Sequence, residues 1–175
     1  MANAAIRFGM PINTKKVARR PLRFDSLEEI ARELDRIEAA HRAGTLRTLG
    51  NWTPGMICDH LASTMRMSLD GFPPEAKPPV VLKWAVQAFF KRKAVAGQPP
   101  PAGIPFPKGV PAFVPREVSF EDGLADLRRQ IARATTGGER MVRPSPIFGT
   151  LTHENWTGIH RGHCALHLGF LDRPA

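Results

Sequence analysis

Near the end of the chain the stretch THENWTGIHRGHCALHLGFL, residues 152–171, puts His160, His163 and His167 where an amphipathic helix would carry leucines. On a helical wheel Trp156, His160, His163, His167 and Phe170 follow one another at steps of four, three, four and three, so all five share one face. That face is expected to point into the protein. A buried imidazole without a partner costs about 1–3 kcal/mol, and three of them in one seam multiply the cost unless one group satisfies them together. A metal ion does so. His163 and His167 stand at i and i+4, the spacing at which a helix offers two imidazoles to one cation. A lone histidine on an apolar face is ordinarily a hydrogen-bonded core residue, so the argument rests on there being three.

A second helix must bring any further ligand. Asn51-Trp52-Thr53-Pro54 is a start signal, with Thr53 as N-cap and Pro54 at the first helical position, and the helix runs to Asp70. Its apolar stripe is Ile57, Leu61, Met65 and Ser68; His60, with Thr64 one turn on, flanks that stripe and can look into the core. Alone, His60 reads as an edge residue bonded to a neighbour. Opposite a helix that offers imidazoles and lacks a partner, it becomes a ligand candidate. Asp59, Thr64, Glu154 and Asn155 are placed to orient ligands or move protons, and each reads equally well as a cap or a solvated side chain. Cys58 lies about 200° round the helix from His60, so core packing is the reading for it and for Cys164.

The rest of the chain supplies the frame. At 175 residues it has the length of one domain able to bury a core without disulfides, and two cysteines make no disulfide framework. No stretch joins a basic start, an apolar run and a small-residue cleavage site, which makes the cytoplasm the default location. The most apolar run, Val80 to Phe90, is interrupted by Lys83 and Gln87 and is far short of the roughly 20 residues a membrane span needs. Of the formal charge of +9, a large part comes from Arg7, Lys15, Lys16, Arg19, Arg20 and Arg23, all before the first acidic residue, Asp25. With no Tyr and no basic residues interleaved with stacking aromatics, that charge offers non-specific phosphate attraction and argues against specific nucleic-acid binding.

Residues 1–23 are expected to form a mobile basic tail and residues 24–175 a single helical domain. Ser26 with Glu29 three residues on is a capping box, after which Leu27, Ile30, Leu34 and Ile37 trace one face of a helix from about Ser26 to Arg42. Val80 to Ala94, apolar almost all round, reads as a heavily buried helix with Lys91, Arg92 and Lys93 at its C-terminus. Seven prolines exclude regular structure over Gln98 to Arg116, a segment too long for a routine connection and readable as a lid or as a passive strap. Ser119 to Ala134 is helical again, with Phe120, Leu124, Leu127 and Ile131 on one face. With no alternating strand pattern, the expected architecture is all-α: four amphipathic helices in a bundle, one additional apolar helix and a long Pro-rich loop.

Gly50-Asn51-Trp52, Asp59-His60-Leu61-Ala62 and His163-x-x-x-His167-Leu168 together give the chain a resemblance to the DinB-like superfamily of four-helix-bundle metalloenzymes. It is more closely similar to a subgroup with a Lys-Lys-Val and Arg-Arg stretch and a Phe-Gly-x-Leu-Thr turn, here Lys15-Lys16-Val17, Arg19-Arg20 and Phe148 to Thr152. The likeness covers roughly residues 10 to 172. It implies that His60, His163 and His167 hold a divalent metal and that His160 is a pocket residue beside them; Thr64, Trp156 and Asp59, read from their helix positions, complete the expected pocket. It also implies a histidine at the position Ser145 occupies. Three imidazoles leave coordination positions open, the condition for catalysis, and they suit Zn, Ni or Fe without choosing among them. Relatives of this kind transfer low-molecular-weight thiols to electrophiles. The implied activity is that of a metal-dependent transferase or hydrolase activating a thiol cosubstrate or water against a small-molecule electrophile; a catalytically silent, stress-associated binding bundle is the alternative, and a homodimer is compatible with either.

Overall fold

A computed structural model describes residues 11–76, 78–103 and 113–173. Five helices carry the chain: α1 (Leu27–Arg42), α2 (Pro54–Asp70), α3 (Val80–Val95), α4 (Phe120–Ala134) and α5 (His153–Leu168). Four of them start where a side chain satisfies a backbone donor of the first turn. Ser26 accepts from Glu29 N, Thr53 from Met56 N, Ser119 from Asp122 N and Thr152 from Asn155 N. At α5 the box is complete, because Asn155 Oδ1 accepts in return from Thr152 N. At α1 Glu29 reaches one residue further back, to Asp25 N at 2.6 Å.

The bundle forms because α1, α2, α4 and α5 each turn one apolar face inward. Ile30, Leu34 and Ile37 meet Ile57, Leu61 and Met65, Leu127 and Ile131, and Trp156 and Leu168 in one continuous core. Among the described residues the most extensive helix contact is that of α2 with α4. Gly55 makes it possible: a Cβ there would lie 2.2 Å from the Val118 carbonyl oxygen, so only a residue without one lets the start of α2 meet the approach to α4. The fold is thus the all-α bundle expected. A small addition is β1 (Arg47–Thr48), paired antiparallel with β2 (Leu171–Asp172) in the register Arg47 with Asp172 and Thr48 with Leu171. Strands of two residues are too short to leave an alternating pattern in sequence.

One expectation is corrected. The apolar helix α3 is not buried: Val81, Trp84 and Phe89 are 83%, 73% and 74% exposed. It is held at the side of the bundle by α5, by Gln87 Nε2 donating to the Ile147 carbonyl (2.8 Å) and by Lys91 Nζ donating to that of Phe148 (2.9 Å). Residues 11–23, the described part of the expected mobile tail, lie against the bundle. Arg20 N donates to Gly169 O, its guanidinium to Leu171 O and Leu168 O at 2.7 and 3.1 Å, and it pairs at 2.8 Å with Glu33, a buried carboxylate that also holds Arg173. Arg20 thus serves as a counter-ion within the fold. Arg66, Arg116, Arg128 and Arg133 are likewise paired, with Asp126, Asp59, Asp35 and Asp70. No helix among the described residues is long and apolar enough to cross a membrane.

Candidate metal centre

Helices α2 and α5 run antiparallel, since His60 meets His163 while Ser68, two turns further along α2, meets His160 one turn earlier on α5. This brings the side chains of His60, His163 and His167 to one point between the two helices. One ligand-capable nitrogen from each lies within 4.8 Å of the others, and three imidazoles so placed could hold a metal ion. The Nε2 atoms of His60 and His163 face each other at 3.1 Å. Two nitrogens bound tetrahedrally to one ion at about 2.0–2.1 Å stand about 3.4 Å apart, so this edge is already near coordination length. The ring centroids are 4.7 to 4.9 Å apart and each pair meets edge to face, which turns ring edges, where the nitrogens are, toward neighbouring rings.

The electrostatics suit a cation. Burial pushes His60 down to about 4, against smaller opposing effects from a Phe113 backbone hydrogen bond and the Asp59 charge. Burial also holds His163 and His167 well below the ordinary imidazole range, with neighbouring histidines adding to the effect and Arg19 contributing at His167. All three rings are therefore neutral near pH 7, the protonation state a ligand needs. Thr64 fixes one of them. Its hydroxyl donates to the Leu61 carbonyl at 3.0 Å, leaving a lone pair 3.4 Å from His163 Nδ1 and so favouring the tautomer with Nε2 unprotonated. Donor type, convergence and protonation state together fit a divalent ion.

The triad forms part of the wall of a cavity of about 540 Å³. Thr64 lines it as well; His160, Trp156 and Asp59 do not. His160 shares the azimuth of His167, but seven residues separate them, about 10.5 Å along the axis. There its Nε2 meets Ser68 Oγ at 3.0 Å, and Trp156 stacks on its ring while donating to the Arg143 carbonyl. It is a satisfied core histidine. Asp59 is turned about 100° from His60 and binds Arg116, through the backbone N at 2.9 Å and through Nη2 at 2.6 Å. Glu154 and Asn155 sit at the start of α5, where Asn155 completes the cap. Ser145 Oγ accepts from Ile147 N and Phe148 N inside its own turn and does not line the cavity. Both cysteines are buried in the core, and burial pushes the Cys58 thiol up to about 12.

Sequence reasoning assigned no site role to Trp52, which stacks on His167 with 5.1 Å between centroids and 7° between planes, and stands 5.1 Å from the His60 ring. The signal was available: a tryptophan immediately before an N-cap is a large apolar surface in need of a cover. Asn51 beside it pins the segment by exchanging two hydrogen bonds with the Ile12 backbone, at 2.8 and 2.9 Å. The Pro-rich strap contributes Pro100 to Gly103 and Phe113 to the wall, so its described ends border the cavity; residues 104–112 lie outside the described residues.

Among curated proteins and solved structures, none matches this chain. A family described as a protein of unknown function, DUF1569, matches residues 16–174, which include all three converging histidines and the aromatic wall beside them, and the chain belongs to that family.

Proposed function

We propose that the chain is a divalent-metal-dependent enzyme of the DinB-like type, in which His60, His163 and His167 hold the ion and a thiol or water is activated against a small electrophile. The observation that carries this reading is the convergence of three neutral imidazoles from two helices on the wall of a cavity large enough for a small molecule. When bound, a divalent ion supplies Lewis acidity, lowering the pKa of a coordinated thiol or water. The chain's own residues do the rest: Thr64 orients the His163 ring, Trp52 braces the His167 ring, and the surrounding apolar side chains exclude bulk water from the reacting groups. Zn, Ni and Fe all suit such a donor set.

One observation favours a second reading, a binding bundle without turnover. Apart from the imidazoles, no side chain among the described lining residues is a plausible general acid or base. Elemental analysis of the purified protein beside His60→Ala and His167→Ala tests the centre, with one metal equivalent expected in the parent and a large loss in both variants. Equal metal content in all three sinks it. Metal-loaded protein assayed with thiols and electrophiles, and separately with simple esters, then divides the two readings. Turnover that depends on His167 supports the enzyme, and none above the His167→Ala control leaves the binding bundle.

A further inference from the structure

A stripe along α3 faces water. Val81, Trp84, Ala85, Ala88 and Phe89 succeed one another at steps of three, one, three and one, and all five are exposed, as are Arg92 and Lys93, which continue the same face in the last turn. The bundle grips the helix elsewhere: Gln87 and Lys91 donate to the carbonyls of Ile147 and Phe148, and the Val95 backbone packs on Gly158. The apolar side chains of the stripe therefore add nothing to the core, and they are large. Trp84 and Phe89 leave about 300 Å² between them in water. Val80 and Val81 extend the patch toward the size at which exposed apolar surface is usually an interaction site. Its charge has one sign: between Glu75 and Glu117 the sequence holds seven lysines and arginines and no acidic residue, so α3 and the connections on either side of it are basic throughout.

An apolar ridge that ends in cations needs a partner that is apolar within and anionic at its surface. A second copy is a poor fit, because the face would then meet itself, and Arg92 and Lys93 would lose water against a helix that has no acid to receive them. A protein ligand of the helix-in-groove kind fits no better: Val81, Trp84 and Phe89 are each more than two-thirds exposed, so they form a ridge and not a groove. A bilayer suits both features. Its fluid interface moulds to a ridge, takes aromatic side chains at the level of the headgroups and, where the lipids are anionic, attracts the cations beside them. We propose that α3 attaches the protein to anionic lipid surfaces, lying in the plane of the interface with Val81, Trp84 and Phe89 among the lipids and Arg92 and Lys93 at the phosphates. This is attachment and not a span: α3 is 16 residues long, and no described helix is long and apolar enough to cross a membrane. It does not depend on the metal centre.

The test is flotation of the full chain with vesicles of phosphatidylcholine, and of the same lipid containing about one-third phosphatidylglycerol, together with quenching of tryptophan fluorescence by brominated lipid. Of the three tryptophans, Trp84 is the one on this face; Trp156 is buried and Trp52 stacks on His167. The protein is expected to bind the anionic vesicles about tenfold or more tightly than the neutral ones, with quenching that Trp84→Phe removes. Trp84→Ser with Phe89→Ser is expected to weaken anionic binding by about tenfold or more, and Arg92→Gln with Lys93→Gln by about tenfold, without effect on neutral vesicles. All four side chains are exposed, so thermal midpoints should stay at the parent value, which separates loss of the face from loss of the fold. If a variant does unfold, quenching of Trp84 in the parent decides by itself. No binding to anionic vesicles, binding that leaves Trp84 unquenched, or binding that both double variants retain in full overturns the proposal. So does self-association in sedimentation velocity that Trp84→Ser with Phe89→Ser abolishes, since a second copy then covers the face.

Discussion

Replacing Ser68 by Ala separates a structural histidine from the three that converge. Ser68 Oγ donates to the Met65 carbonyl at 2.6 Å, so toward His160 Nε2, 3.0 Å away, it can only accept, and the ring must carry its proton on that nitrogen. Both residues are buried, with Ser68 fully enclosed and His160 2% exposed, so no water replaces the lost oxygen. Orphaning a buried N–H costs about 1–3 kcal/mol. At the middle of that range, about 2 kcal/mol, the thermal midpoint of a domain this size falls by roughly 4–8 °C. Thermal and urea unfolding in chelator should show that loss, while metal content measured on the purified variant stays at the parent value. An unchanged midpoint together with lost metal would falsify the assignment and make His160 a ligand.

Acid is expected to destabilise the chain. His60 and His160 are held at about 4 and about 3, both below the ordinary 6.5, so between those values and 6.5 the unfolded chain binds protons that the folded chain does not. Stability therefore falls as pH drops below about 6.5, by about 2 kcal/mol for each ring at pH 5; a urea midpoint in chelator that is the same at pH 7.5 and pH 5 contradicts this. Arg20→Ala removes one cation from a Glu33 carboxylate that retains Arg173, so a loss of about 1–3 kcal/mol is expected in urea unfolding, and a neutral result would show the 11–23 segment to be dispensable. Gly158→Ala puts a Cβ 1.9 Å from the Val95 carbonyl oxygen; α3 must shift away from α5, lowering stability by about 1–3 kcal/mol in the same assay, and an unchanged midpoint refutes close packing there.

Helix positions were legible because their signals are local. Ser26 and Thr53 cap the helices they were expected to cap, and the i, i+4 pair His163 and His167 falls on one side of α5. What escaped the sequence was distance along an axis and the choice among faces. A helical wheel projects His160 onto His167, yet the antiparallel partner that supplies His60 to one supplies Ser68 to the other. For α3 the pattern is apolar all round, and such a helix names no inward face, so its burial was inferred from composition alone. The cavity walls from Pro100 to Gly103, Phe113 and Ile147 lie on irregular segments, where no periodicity marks which side chains turn inward.

The Glu33 carboxylate has a consequence for how the chain opens. Arg20 approaches it from before α1 and Arg173 from beyond β2, so the two flanks of the bundle are tied to one buried anion on α1. Flanking segments of a domain usually fray at almost no cost, since they leave nothing charged behind. Here, peeling away either flank leaves a carboxylate that the rest of the fold keeps from water with one counter-ion fewer. Opening at either flank is therefore expected to cost more than ordinary fraying, and backbone amides such as Arg20 N, bonded to Gly169 O, are expected to exchange slowly with solvent.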